Sequence, residues 1–129
     1  MKLLIDEPGS LRVRELWASA RKPVSCRLLY PEARSALARA ARSRRLERSA
    51  FGRARAELED LADELWWRDI TEPIAQRAGD LGETHRLGGA DAVHLAAAEE
   101  LADEETVFVT ADADQRAAAR SLGLAVAQL

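Results

Sequence analysis

The sequence predicts an α/β protein in which helices cover both faces of a parallel sheet. Three observations support this prediction: short apolar or β-branched segments recur along the chain, segments with helical periodicity separate them, and no low-complexity linker interrupts the alternation. Strands that alternate with helices form parallel sheets, because each helix provides the crossover between two strands. The length of 129 residues predicts a single domain over residues 1–129, large enough to form a core without disulfides.

The first half of the chain predicts three helices and one strand. The turn Glu7-Pro8-Gly9-Ser10 precedes a stripe of apolar residues at helical spacing, with Ser10 as the expected N-cap. Pro23-Val24-Ser25-Cys26 predicts a short strand, and helices are expected from about Leu28 to Arg44 and from Glu47 to Glu64.

The second half predicts three strands and three helices. The expected strands are 65–70, 106–110 and 124–127. Thr71 is the expected cap of a helix over residues 72–85, with Pro73 in its first turn. Asp91 is expected to open a helix over 92–102, and Asp112 with Asp114 a last helix that Gly123 ends.

Charge is divided unevenly between the two halves of the chain. The net charge is −3, yet residues 1–56 contain 14 Lys and Arg against 5 Asp and Glu, whereas residues 57–129 contain 5 against 17. The basic excess is greatest at a run of arginines, namely Arg39, Arg42, Arg44, Arg45, Arg48, Arg53 and Arg55. This distribution suits a protein that binds a polyanion with one surface and cations with another. Pairing of the two halves with each other or with a second subunit is an equal alternative.

Several classes of protein and site are excluded by composition. The single cysteine, Cys26, rules out a disulfide framework and a cysteine-based zinc site. No apolar run is long enough to span a bilayer, and the first residues lack the order of a signal peptide, so a cytoplasmic location is expected. The sequence also has no glycine-rich phosphate loop of standard spacing.

Acidic residues follow the predicted strands and begin the predicted helices. Asp112 comes two residues after a strand, and Asp91 would lie at the same sheet edge if its loop returns there. Carboxylates gathered at such an edge are the ligands preferred by hard cations such as Mg²⁺ or Mn²⁺. Each acid also has a structural alternative, because Asp91 and Asp112 stand where N-caps stand, and Glu32 suits a solvent-facing helix position.

Three stretches considered together carry a family resemblance. They are Ser25-Cys26-Arg27-Leu28-Leu29-Tyr30-Pro31-Glu32-Ala33-Arg34, Gly89-Ala90-Asp91-Ala92-Val93-His94-Leu95-Ala96 and Val107-Phe108-Val109-Thr110-Ala111-Asp112. In this order and spacing they resemble the PIN-domain family, and more narrowly the VapC-type toxins of bacterial toxin–antitoxin pairs. The resemblance implies a three-layer α/β/α sandwich around a small parallel sheet. It also implies metal-dependent endonucleolytic cleavage of RNA.

The resemblance also implies site residues and partners. Glu32, Asp91 and Asp112 match three of the family's four acidic residues, and Asp114 falls where some members have a further acid. The implied cofactor is Mg²⁺ or Mn²⁺, and the implied partners are an RNA substrate, a cognate antitoxin and a second copy of the chain. Arginines of the basic run, represented by Arg39, Arg42 and Arg45, are candidates for contact with the RNA backbone. The same run would also serve as a solvated helix face or as a dock for an acidic antitoxin segment.

The beginning of the chain departs from the family pattern, in which a short apolar strand ends in an aspartate. In one alignment, Lys2 to Ser10 match the end of the family's first helix and the turn after it, so the first strand and its aspartate are missing from this chain. In the other, Leu3-Leu4-Ile5 is the strand and Asp6 is the aspartate. Only one helix fits between Asp6 and Glu32, where the family has two, and this favours the first alignment.

The first alignment has two consequences. It predicts that the natural product starts upstream of Met1. It also leaves open an alternative function, a catalytically impaired or inactive PIN-like module that binds RNA or an antitoxin without cleavage.

Overall fold

The computed structural model describes residues 1–127 and 129. The chain divides into two compact units, Met1–Trp67 and Arg68–Leu129. Within the described residues, helices and short strands alternate along both units, which confirms the predicted α/β class. The expectation of a single domain over residues 1–129 stays a prediction.

The N-terminal unit contains three helices and one complete strand. A second strand runs across the boundary between the two units. The elements are α1 (Ser10–Ser19), β1 (Val24–Cys26), α2 (Leu29–Arg42), α3 (Arg48–Glu64) and β2 (Trp66–Arg68). Their bounds lie within about two residues of the predicted ones. Strands β1 and β2 form a two-stranded sheet, and the Trp66 backbone N–H donates a 2.9 Å hydrogen bond to the Pro23 carbonyl beside it.

Helices α2 and α3 pack together and supply the core of this unit. The core residues are Ala33, Leu37, Ala54 and Leu58, and the partly buried Leu4, Ile5, Leu46 and Phe51 pack against them. Because Ala33 and Leu37 are four positions apart, they lie on one face of α2. The same spacing places Ala54 and Leu58 on one face of α3. Helical periodicity therefore determines which faces are buried here.

The segment before α1 corrects two sequence-based expectations. Leu4 and Ile5 donate backbone hydrogen bonds to the Met1 carbonyl, so Leu3-Leu4-Ile5 forms a turn and not the strand of the second alignment. Ser10 is the first residue of α1 and not its N-cap, which is Gly9 with a left-handed φ of 89°. The Ser10 hydroxyl instead accepts from the Glu7 N–H and donates to the Ile5 carbonyl, which holds the preceding turn. The predicted absence of the family's first strand stays a prediction.

The C-terminal unit contains three helices and two complete strands. They are α4 (Glu72–His85), α5 (Gly89–Leu101), β3 (Val107–Val109), α6 (Ala113–Ser121) and β4 (Ala125–Ala127). The expected Thr71 cap of α4 is confirmed, since its side chain accepts from the Ile74 N–H. Strands β3 and β4 pair in parallel, with Phe108 opposite Val126. The described strands thus pair two by two, where the sequence led us to expect one small sheet.

Small side chains form most of the core of the C-terminal unit. Its buried apolar residues are Ile74, Ala78, Leu81, Ala92, Leu95, Ala96, Ala97, Ala118, Ala119 and Ala127. Helix α4 packs mainly on α5, and α5 also contacts α6. Alanines at such contacts allow helix axes to approach closely.

An ion pair ties α4 to α5 at the edge of this core. The Arg77 guanidinium donates to both carboxylate oxygens of Glu99, at 2.7 and 2.8 Å. These hydrogen bonds hold the pKa of Glu99 below its ordinary value and raise the pKa of Arg77. A second pair joins Arg68 to Glu100, one residue further along α5.

None of the helices in the described part of the chain has both the length and the apolar character needed to cross a bilayer.

Candidate metal and nucleic-acid site

Asp112 is positioned by the end of β3 and the start of α6. It is the N-cap of α6, and its carboxylate accepts a 2.8 Å hydrogen bond from the Gln115 backbone N–H. Its own N–H donates to the Thr110 hydroxyl at 3.1 Å. The structural alternative, an N-cap role, is therefore confirmed for Asp112. One carboxylate oxygen accepts the capping hydrogen bond from Gln115. Asp112 is exposed to solvent.

Asp91 lies in the first turn of α5, and its predicted role as the residue that opens this helix is wrong. The helix begins at Gly89 with Gly88 as N-cap, and the Ala92 N–H donates to the Gly88 carbonyl at 2.9 Å. The helix therefore starts three residues before the predicted Ala92. The Asp91 carboxylate is partly buried and lies beside Gly88, where its Oδ2 atom would be 3.6 Å from an added Cβ.

Asp114 is in the first turn of α6, two residues after Asp112, and it is exposed. Asp91, Asp112 and Asp114 thus all lie at helix N-termini of the C-terminal unit. The partial positive charge at a helix N-terminus stabilises carboxylates there by roughly 0.3–1 kcal/mol each at exposed positions.

Gln115 and Thr110 join the segments that carry Asp91 and Asp112. The Gln115 side-chain Nε2 donates to the Asp91 backbone carbonyl at 3.0 Å, and its Oε1 accepts from the Thr110 hydroxyl. Both residues are buried. Sequence reasoning missed them, although a glutamine on the buried stripe of an alanine-rich helix is itself a signal. A buried amide at a core position requires partners.

Glu32 belongs to the N-terminal unit, in the first turn of α2. It is partly buried, and its backbone N–H donates to the Leu28 carbonyl at 3.2 Å. Its assignment as a metal ligand stays a prediction.

The donor set of the C-terminal unit fits a hard divalent cation. Asp91, Asp112 and Asp114 offer only carboxylate oxygens, and Mg²⁺ typically uses one or two carboxylates while keeping several waters. Over residues 1–127 and 129, no group of three or more His, Cys, Asp or Glu side chains is arranged to hold a metal ion. A site in this unit alone would therefore use a pair of carboxylates and water.

The predicted nucleic-acid contacts lie at the junction of α2 and α3. Arg39 and Arg42 occupy the last turn of α2, and Arg45 follows in the connecting turn, where it donates to the Ser43 hydroxyl at 3.2 Å. All three are exposed, and none of them pairs with a carboxylate in the part of the chain that the structure describes. Such unpaired guanidinium groups leave the surface positive and accessible. Instead of binding RNA, Arg39 and Arg42 would serve a structural role, because their positive charges interact favourably with the negative C-terminal end of the α2 dipole.

Comparisons with known proteins cover nearly the whole chain. A family model described as "PIN domain" matches residues 1–121. Ribonuclease VapC45 of Mycobacterium tuberculosis (strain CDC 1551 / Oshkosh) is 39% identical over 127 residues, which cover 98% of this chain and 88% of the relative. Ribonuclease VapC49 of Mycobacterium tuberculosis (strain ATCC 25618 / H37Rv) has the same identity and coverage.

Proposed function

The chain belongs to the PIN-domain family, and we propose that it is a divalent-metal-dependent endoribonuclease of the VapC toxin type. The substrate is RNA, the reaction is hydrolysis of a phosphodiester bond, and the proposed metal is Mg²⁺ or Mn²⁺. The similarity to two ribonucleases over 98% of the chain supports the activity. The observation that carries the proposal is that one residue, Gln115, hydrogen-bonds both the Asp91 backbone carbonyl and the Asp112 carboxylate.

The proposed roles of the residues follow from their chemistry. Asp91 and Asp112 are proposed to supply oxygen ligands, with Asp114 as a further acid and Glu32 as a further proposed ligand. A bound divalent cation would supply positive charge that offsets the phosphodiester and acidifies water near it. Without the cation, adjacent carboxylates repel each other and would repel an anionic substrate. The proposed RNA cleavage therefore requires a bound divalent metal ion.

Arg39, Arg42 and Arg45 are proposed to bind the RNA backbone. Each arginine that contacts a phosphate of single-stranded nucleic acid releases counterions, which makes binding depend on salt with a slope of about −0.7 per contact. Replacing one of these arginines by alanine should therefore weaken RNA binding and reduce the slope by about that amount. Arg120→Ala, an exposed arginine on α6, is the matched control. An unchanged slope in all three variants would assign the run to a solvated helix face.

The proposed partners are a cognate antitoxin of the VapB type and a second copy of the chain, and the proposed location is the cytoplasm. The membership of the chain in the PIN-domain family supports these proposals. The acidic segment of an antitoxin is an alternative ligand for the basic run. Competition between RNA and a purified antitoxin for the wild-type protein distinguishes shared from separate surfaces.

The direct test is cleavage of a structured RNA by the purified protein. Activity should require Mg²⁺ or Mn²⁺, disappear in EDTA and be abolished by Asp91→Asn. Asp80→Asn, which removes an exposed aspartate of α4, is the matched control and should retain activity. Cleavage that persists in EDTA, or that Asp91→Asn leaves intact, contradicts the proposed mechanism.

The second candidate is an impaired or inactive module that binds RNA or an antitoxin without cleavage. One observation favours it: the segment before α1 is a turn whose Asp6 pairs with Arg14 at 2.8 Å, and Asp6 is 87% exposed. Metal titration separates the two candidates. When the free Mg²⁺ concentration is ten times the Kd of the site, binding should raise the free energy of unfolding by about 1.4 kcal/mol. A module without a metal site should show no such increase.

A further inference from the structure

Gln115 is buried at a position that helical spacing assigns to the core. It is 6% exposed, and the other buried residues of α6 are Ala118 and Ala119, three and four positions later. An apolar side chain would fill this position without any requirement for hydrogen bonds. The amide therefore requires partners that repay its burial, and the structure provides one for each end of the group.

The orientation of the Gln115 amide follows from its two partners. The Asp91 backbone carbonyl can only accept, so the amide nitrogen must face it, and the Nε2–O distance is 3.0 Å. The Thr110 hydroxyl already accepts from the Asp112 N–H, so its proton is directed to Oε1 of Gln115. These contacts are mutually consistent, and exchanging the two ends of the amide would break the bond to Asp91.

Gln115 thus connects three segments of the C-terminal unit. Its side chain bonds the first turn of α5 through Asp91 and the end of β3 through Thr110, while its backbone N–H bonds the carboxylate of Asp112. Asp91 and Asp112 are 21 positions apart in the sequence, and Gln115 bonds both of them directly. The Gln115 side chain therefore links the first turn of α5 to the strand end that precedes Asp112.

We propose that Gln115 is a positioning residue, which sets the separation and orientation of Asp91 and Asp112 and thereby the affinity of the pair for a divalent cation. This inference rests on the proposed function, because it assigns the two aspartates to one metal site. Residues that orient metal ligands typically change metal affinity by 10–100-fold when they are replaced. Gln115 itself contacts neither the cation nor the substrate in this proposal.

The test measures Mn²⁺ affinity by calorimetry for the wild-type protein and for Gln115→Leu. Leucine keeps a similar volume and the backbone N–H that caps α6, but it removes both amide bonds. We expect Mn²⁺ binding to weaken about 10-fold. With RNA as substrate at saturating metal, we expect kcat to fall while KM stays unchanged. Thr110→Val removes the hydroxyl that donates to the amide and that accepts from the Asp112 N–H; it should weaken Mn²⁺ binding in the same direction and serves if Gln115→Leu does not fold.

A matched control separates positioning from general destabilisation. Ile74→Val shortens a side chain of α4 that is 2% exposed, so it lowers the melting temperature of the same unit without touching the aspartates. Its Mn²⁺ affinity should equal that of the wild type. Hydrogen exchange of the metal-free protein gives a second readout, in which Gln115→Leu should accelerate exchange in the first turn of α5.

The outcomes distinguish this inference from the proposed function. A wild-type protein that binds Mn²⁺ no better than Gln115→Leu does, while retaining metal-dependent cleavage, overturns the inference alone. A wild-type protein that binds no Mn²⁺ overturns the proposed function and the inference together. An affinity loss in Ile74→Val as large as that in Gln115→Leu assigns the effect to stability and also overturns the inference.

Discussion

Replacing Asp112 by Asn and by Ala will separate its two roles, the cap of α6 and the proposed metal ligand. The Asp112 carboxylate accepts the Gln115 N–H at 2.8 Å, a bond that the Asn side-chain oxygen can also accept. Asn and Asp are equally good N-caps, whereas loss of a cap to Ala costs about 1 kcal/mol. Both substitutions remove the charge, which costs a further 0.3–1 kcal/mol, roughly, through the helix dipole. Asp112→Ala should therefore be less stable than Asp112→Asn by about 1 kcal/mol.

The assay combines unfolding with metal binding and cleavage. In thermal unfolding with EDTA present, the two variants should differ by about 3–5 °C in Tm, with Asp112→Asn closer to the wild type. Both should lose metal-dependent RNA cleavage and bind Mn²⁺ more weakly. Equal Tm values for the two variants would refute the cap argument. Wild-type cleavage and Mn²⁺ affinity in Asp112→Asn would reduce Asp112 to a cap and refute its role as a ligand.

Three further predictions concern stability. Glu99 has a folded-state pKa below its ordinary value of 4.5 because Arg77 binds it, so the pair stabilises the fold above that pH and loses its effect as the pH falls through the folded-state value. Glu99→Gln should thus lower the free energy of unfolding by less than about 1 kcal/mol at neutral pH, since both side chains are partly exposed. In strong acid it should have no effect. Equal losses of stability at the two pH values, measured by urea unfolding, would contradict the linkage. Leu95→Ala removes a fully buried side chain and should cost about 2–5 kcal/mol in the same assay, and a loss under about 1 kcal/mol would show that the core is not built as described. Gly123 has a φ of 80°, so Gly123→Ala should lower the free energy of unfolding by about 1 kcal/mol. Gly52 lies on the exposed face of the helix α3, so Gly52→Ala should raise the free energy of unfolding by roughly 0.5–1 kcal/mol. Two changes of the same sign would contradict the backbone argument.

Signals that act over three or four residues were readable from the sequence. Thr71 caps α4 and Asp112 caps α6 because each bond joins the cap to a backbone N–H three positions later. Gly123 ends α6 for a similarly local reason, its positive φ. Ser10 was misassigned although its partners are also near, because its hydroxyl bonds backward to Ile5 and Glu7 instead of forward into the helix.

The positions of the candidate acids were also predicted from the sequence, but their surroundings were not. Asp91, Asp112 and Asp114 are in the expected order at the starts of helices, and the family membership of the chain is confirmed. The exact start of α5 depended on how Gly88 and Gly89 fold, and no pattern in the sequence distinguishes a helix that begins at Gly89 from one that begins at Ala92. The assignment of Glu32, Asp91 and Asp112 to one metal site stays a prediction.

By itself, the sequence determined the α/β class, the elements to within a few residues and the order of the acids, since these depend on periodicity, local capping and motif spacing. The tertiary structure decided which distant residues meet. Gln115 bonds Asp91 across 24 positions, Arg77 bonds Glu99 across 22 and Arg68 bonds Glu100 across 32. Such contacts depend on how helices pack after the chain has folded back on itself, and no local pattern encodes that packing.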